Sequence, residues 1–263
     1  MKRLQLIELE DLPWFPSEIR NGATACLRAI GKMGRMGNFM APPLAKALKQ
    51  TQHTQLLDLC SGGAGPLPEV LDSLQSQGLC MNVLLTDKYP NTAALRRAAQ
   101  ACSGQKGLVS FFPHSVDATK VPHELSGFRT LFNAFHHFPP HLAQGILADA
   151  VQQNVPIAIF EVVERRPWAF LAVIFSPIVA MFLMVGIRPV QARWWLFTFV
   201  LPVIPALLLW DGLVSCLRVY SQAELSELIH SIKGNESFDW QYERIWMWPM
   251  PMRCQILIGV PKA

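Results

Sequence analysis

The sequence predicts an α/β fold: a mostly parallel sheet covered by helices on both faces and closed by a C-terminal antiparallel hairpin, with helices ahead of it and a hydrophobic helical hairpin inserted into it. Three observations lead there. Five apolar runs of strand length fall between residues 55 and 162 and alternate with segments of helical spacing, the pattern of a parallel sheet buried on both faces. A capped helix and two aromatic-rich runs follow residue 218, as a helix and a terminal hairpin require. Between them stand two uncharged stretches, "WAFLAVIFSPIVAMFLMVGI" (168–187) and "WWLFTFVLPVIPALLLW" (194–210).

The elements follow in chain order. Residues 17–48 read as helical. "QLLDLC" (55–60) is the first strand and ends in glycines, "PLPEVLDSLQSQG" is a helix, and "MNVLLTD" (81–87) is the second strand. "NTAALRRAAQAC" is a helix capped by Asn91, whose side chain can accept a first-turn N–H. "GLVSFFP" is the third strand, "FRTLFNA" (128–134) the fourth, "PHLAQGILADAVQQ" a helix and "VPIAIFEV" (155–162) the fifth. Past the apolar stretches, "SQAELSELI" (221–229) carries Ser221 and Glu224 at capping-box spacing, and "FDWQYERIWMW" and "MRCQILIGV" form the hairpin. The organisation is therefore an N-terminal helical or lid segment (1–50), a ligand-binding core (51–166), an apolar insertion (167–217) and the remainder of the core (218–263).

Composition narrows the function. With 51% hydrophobic and 16% charged residues among 263, the chain has ample material for a core. A net charge of +4 from scattered lysines and arginines is no nucleic-acid footprint. The start "MKRLQLIELEDLPW" breaks its apolar residues with acids and a proline, so no secretion signal is expected and the catalytic part is placed in the cytoplasm. Cys26, Cys60, Cys80, Cys102, Cys216 and Cys254 are widely separated, with no CxxC pair and no paired histidine spacing. Reduced thiols and no metal site are expected.

In parallel sheets ligands sit beyond the carboxyl ends of the strands. There the first strand is followed by "DLCSGGAGP", in which Gly62, Gly63 and Gly65 permit a tight turn and Asp58 supplies a carboxylate. The second ends in Asp87, with Lys88 next to it, where an acid can accept both hydroxyls of a ribose. After the third, "SVDAT" offers Asp117 and the N–H of Ala118.

This constellation resembles the class I S-adenosylmethionine-dependent methyltransferases, over about residues 53–163 and more loosely 218–262. The resemblance implies a Rossmann-like seven-stranded sheet and S-adenosylmethionine as cofactor. By it Asp58, Cys60, Ser61 and Gly62 line the methionine portion, Asp87 holds the ribose, Asp117 with Ala118 meets the adenine, and Gly63, Gly65 and Lys88 are further cofactor-side residues. Cys60, Gly62 and Ala64 stand where the family usually has glycine at every second position. A nicotinamide-dependent reductase is the competing reading. Its G-x-G-x-x-G would need a glycine where Pro68 stands.

The fourth strand ends in "FNAFHHFPP". The resemblance makes Asn133 a cofactor-side contact and points His137, with His136 beside it, at the substrate; neutral imidazole can take a proton from a hydroxyl or thiol. Glu161 is the second cleft candidate, whereas Glu164 reads as a solvated partner of Arg165 or Arg166. Phe135, Trp14 and Phe15 are aromatic candidates for the acceptor or sulfonium, and "EDLPWFPSEIR" (10–20) reads as the start of a lid or a segment packed on the sheet.

About 20 apolar residues match the ~30 Å hydrocarbon thickness at ~1.5 Å per residue. Residues 168–187 meet that length, and Trp168, Trp194, Trp195 and Trp210 resemble interfacial anchors. Both ends of the insertion return to one core, so it must be a hairpin. It either spans the bilayer twice or lies shallow with Pro177, Pro202 and Pro205 bending it; Arg188 and Arg193 at the turn favour the shallow form. A water-soluble cap or dimer interface is the third option. The expected acceptor is small and hydrophobic, the expected partner a membrane lipid through residues 168–217, and a non-catalytic membrane scaffold of the same fold is the alternative from another class.

Overall fold

The structure is a computed structural model, and it describes residues 1–102, 107–188, 190–248 and 250–262. A seven-stranded sheet organises it: β1 (Gln55–Asp58), β2 (Asn82–Leu85), β3 (Val109–Phe111), β4 (Phe128–Phe132), β5 (Ile157–Glu161), β6 (Phe238–Trp246) and β7 (Arg253–Pro261), in the spatial order β3-β2-β1-β4-β5-β7-β6. The first five strands pair in parallel, and β7 enters antiparallel between β5 and β6. The order reverses at β1 and β4, so the crevice at their carboxyl ends is the expected ligand position.

Apolar side chains alternate across this sheet. Leu56, Phe128, Phe160 and Ile258 face a core completed by α2 (Met36–Thr51), α3 (Leu67–Ser76) and α4 (Thr92–Ala101). Leu57, Leu131, Ile159 and Leu257 face a second core under α5 (Pro140–Gln152) and α10 (Gln222–His230). Burial on both faces is why the parallel strands read as unbroken apolar runs. The Asn91 cap of α4 and the Ser221–Glu224 capping box of α10 both form.

The helical segment expected over 17–48 is two helices, α1 (Ser17–Met33) and α2, because Arg35 takes a left-handed φ of 49° after Gly34. The break lets α2 lie against α3 at Gly37, where a Cβ would stand 2.3 Å from the Glu69 carbonyl carbon. Backbone cannot yield as a flexible side chain does. Gly37→Ala is expected to destabilise by at least the ~1–3 kcal/mol typical of overpacking, read as a lowered Tm.

The insertion is four helices: α6 (Pro167–Ile174), α7 (Ser176–Gly186), α8 (Ala192–Trp195), which runs into a π-turn (Leu196–Val200), and α9 (Val203–Arg218). Neither apolar stretch forms one long helix, although each bent pair taken together has the length and composition of a span. The α6–α7 pair bends by 46° and the second pair by 74°, and no single helix among the described residues is long and apolar enough to cross a membrane. Pro177 sits in the first turn of α7, Pro202 caps α9 and Pro205 lies in the first turn of α9. The hairpin does not project from the core. Ala180, Met184, Trp194, Ile204 and Leu207 pack on Ile19, Ala23 and Cys26 of α1, and Gly22 of α1 comes so near that a Cβ would stand 2.5 Å from Ile204 and 3.2 Å from Trp194.

Candidate active site

At the carboxyl edge of β1 the chain turns through Cys60 (φ 59°), Gly62 (φ 50°), Ala64 (φ 68°) and Gly65 (φ 44°). Left-handed φ is easy for glycine and strained for cysteine and alanine. Space above Gly62 and Gly65 is open, because a Cβ at either would meet nothing within 4 Å. Gly63 serves a close approach instead: its Cβ position lies 3.1 Å from Thr24 of α1.

Asp58 sits beneath this loop, with Oδ2 accepting from Ser61 Oγ at 2.7 Å and Oδ1 from Thr130 Oγ1 at 2.8 Å. Burial raises its pKa to about 7 against the lowering effect of those hydroxyls, with Asp87 adding to the rise. It pins the loop. Burial and then Asp87 push the Cys60 thiol above its ordinary range, so it stays neutral. Asp87 accepts the Gly62 N–H on Oδ2 and the Tyr89 N–H on Oδ1, both at 2.9 Å, which fixes its carboxylate at the mouth of the crevice. Asp117 pairs with Lys88 at 2.7 Å and accepts from Thr119, while Ala118 is buried in the core. Asn133, at φ 52°, accepts the Val162 N–H at 2.9 Å and so joins the ends of β4 and β5. Pro68 lies in the first turn of α3, where the reductase motif would need glycine.

Both histidines are brought to this edge, in different roles. The buried Glu161 accepts the His136 backbone N–H at 3.1 Å and lies 2.6 Å from His136 Nδ1. With the proton on Nδ1, the Nε2 lone pair faces the strap, where the buried Glu8 Oε1 lies 3.8 Å away. His137, its ring 4.3 Å from that of His136, lies with Nδ1 3.0 Å from Asp11 and 3.3 Å from Glu8. Burial would lower its pKa, but the Asp11 hydrogen bond and the charges of Glu8, Asp11 and Glu10 raise it to about 9.

Glu8, Asp11 and Arg218 were not legible as site residues. The N-terminal strap runs over the histidine pair and is tied to α9: Asp211 accepts the N–H groups of Leu9 and Glu10, Ser215 Oγ donates to Glu8, and Arg218 holds Asp11 at 2.8 Å and Glu8 at 3.3 Å. Arg3 adds bonds to the carbonyls of Arg218, His136 and Phe138. The segment read as a possible lid, 10–20, overlaps this strap only at Glu10 and Asp11. Glu8, His136 and His137 bring ligand-capable atoms within 4.8 Å of one another. Arg218 and a proton on His137 already balance the carboxylates there, so an ion-paired latch accounts for the cluster.

Three placements differ from the sequence reading. Phe135 is fully buried against Tyr220, with ring centroids 5.4 Å apart, because its turn points it into the core. Phe15 packs with Ile19 and Trp194, leaving only Trp14 exposed. Glu164 is buried and accepts from Trp168 Nε1 at 2.7 Å, while Arg165 pairs with Glu224.

The latch should respond to pH. His137 and Glu10 both have folded pKa values raised above their ordinary ones, to about 9 and about 7. Their contributions are therefore present at low pH and lost as pH rises, Glu10 through about 7 and His137 through about 9. Asp11, lowered to about 2 by His137 and Arg218 against the raising effect of burial, keeps its contribution until strongly acid pH. Limited proteolysis of the N-terminal strap is expected to accelerate between pH 6 and pH 9.5, on either side of the His137 value of about 9. An unchanged rate would remove the latch.

No family model matches the chain, and no curated protein matches it in sequence. Its fold is that of the class I S-adenosylmethionine-dependent methyltransferases. Among solved structures it is similar to the plantazolicin methyltransferase BpumL in complex with SAH, at 10% identity and a TM-score of 0.54, covering 97% of this chain and 95% of that one. It also matches an O-methyltransferase family protein from Burkholderia thailandensis (14% identity, TM-score 0.49, 88% of this chain and 57% of that one). A third match is the magnesium protoporphyrin IX methyltransferase ChlM from Synechocystis PCC 6803 with bound SAH (11% identity, TM-score 0.46, 89% and 87%).

Proposed function

We propose that this chain is an S-adenosylmethionine-dependent methyltransferase acting on a small hydrophobic acceptor met at a membrane surface. The observation that carries the reading is the meeting, on one sheet edge, of an open glycine turn backed by Asp87 with the His136–Glu161 pair. The cofactor supplies an electrophilic methyl group when bound. Open space at Gly62 and Gly65 and a fixed carboxylate at Asp87 fit a nucleoside there, with Asp87 holding the ribose hydroxyls and Asp117, Lys88 and Ala118 at the base. Asp58, Ser61 and Cys60 support the loop at the methionine side, and Asn133 braces the strand ends next to it.

His136 is the acid–base group. Its Nε2 accepts the proton of an acceptor hydroxyl or thiol, and Glu161, on Nδ1, fixes the tautomer and stabilises the imidazolium that results. His137, kept protonated by Asp11 and Glu8, is a latch and not the base. Positioning provides the rest, since effective molarity is worth ~7–11 kcal/mol of a bimolecular barrier. The absence of any Asp or Glu between Glu164 and Asp211 favours an apolar acceptor and a lipid neighbour over a polar one.

Mass spectrometry of lipid extracts, with and without the protein and S-adenosylmethionine, tests this. A gain of one methylene on a lipid-soluble species is expected. Cofactor binding with no such product on any extract would instead favour the scaffold reading, to which the burial of His136 beneath the strap lends support.

A further inference from the structure

In the insertion, the surface that solvent sees is apolar apart from Arg188 and Arg193 at the turn and a few neutral polar side chains. Phe175 is 52% exposed, Phe182 77%, Val200 70%, Leu201 51% and Trp210 48%. Leaving one such side chain in water forgoes ~1.5–3 kcal/mol of burial, and a contiguous group of them marks a docking surface. Covalent neighbours do not explain it: the buried faces of the same helices are already occupied by α1 and by one another. The charges between Pro167 and Trp210 are Arg188 and Arg193 alone, both cationic. Arg188 is exposed at the end of α7, and Arg193 reaches to 3.7 Å from Glu18 of α1.

We infer that this face, extended by the strap residue Ile7, seats in one leaflet of an anionic bilayer without crossing it; the inference rests on the membrane-surface part of the proposed function and deepens it. Ile7 belongs to the face because its carbonyl accepts from Trp210 Nε1 at 3.1 Å while its side chain is 63% exposed. One leaflet follows from the packing. A crossing hairpin would have to carry its tip ~30 Å from the catalytic core, yet Met184 and Trp194, near that tip, are buried against α1. The bent helices therefore lie along the core, as an interfacial segment does. Anionic headgroups are the complement of a segment whose own charges are arginines, Arg193 sharing its place with Glu18 of α1. Because the strap that covers His136 shares this face through Ile7, an acceptor arriving from the leaflet meets the strap first.

Flotation with vesicles tests the seat. The full chain is expected to float with phosphatidylcholine vesicles containing phosphatidylglycerol and more weakly with phosphatidylcholine alone. Phe182→Asp combined with Val200→Asp, both at exposed positions, should lower the bound fraction by more than about tenfold without altering circular dichroism. Arg188→Glu and Arg193→Glu should each lower it by about fivefold, in a salt-dependent way. Equal flotation of the aspartate variant, or none of the parent, overturns the inference. For depth, Gly186→Cys in a Cys80→Ser background is exposed to a maleimide trapped inside the vesicles; labelling would mean a crossing hairpin and would overturn the one-leaflet placement. S-adenosylmethionine titration of the same samples separates the two failures. Binding without flotation ends this inference and the membrane-surface part of the proposed function but leaves the methyltransferase reading, and flotation without binding ends only the methyltransferase reading.

Discussion

His136→Ala is expected to lower methyl-transfer turnover by about 10²–10⁴-fold, the usual contribution of a positioned acid–base group, with S-adenosylmethionine affinity unchanged. The argument is geometric. Glu161 is the one carboxylate that touches both the backbone N–H and Nδ1 of His136, so it sets ring orientation and tautomer together. Glu161→Gln keeps the shape but cannot stabilise imidazolium as a carboxylate does. It should therefore depress kcat, with little effect on cofactor affinity. His137→Ala should spare the chemical step and loosen the strap, visible as faster N-terminal proteolysis. If His137→Ala abolishes turnover while His136→Ala does not, the roles assigned to the two rings are reversed.

Asp87→Ala is expected to weaken S-adenosylmethionine binding by about a hundredfold, as the loss of one or two hydrogen bonds to a charged acceptor, each worth ~1.5–3 kcal/mol, implies. The same carboxylate also orients the turn through the N–H groups of Gly62 and Tyr89. Asp87→Asn is informative for that reason: it retains one acceptor oxygen and should lose less affinity than the alanine variant. Isothermal titration of both measures the difference. Affinity unaffected by either substitution would refute the placement of the ribose.

Legibility followed the range of the interactions. The β-strands were readable because parallel strands bury both faces, and the caps of α4 and α10 because Asn91 and the Ser221–Glu224 pair act within three residues of themselves. The positions of Asp58, Asp87 and Asn133 at strand ends were readable for the same reason. The break between α1 and α2 has a local sign in Gly34. Glu8, Asp11 and Arg218 had none. Glu8 looks like any surface acid in "LIELEDL", and its burial depends on partners in α9 that lie 207 residues further along the chain.

The sequence by itself determined the alternation of strands and helices, the acids that end the strands, the apolar character of residues 168–210 and the prolines that interrupt them, because each is written in hydrophobic periodicity or in local backbone chemistry. Tertiary structure alone decided which histidine meets Glu161, that the N-terminal strap locks over the pair, and that the apolar hairpin lies along α1 instead of reaching away from it. Those outcomes depend on ion pairs and side-chain contacts between segments far apart in the chain, and no short-range pattern records them.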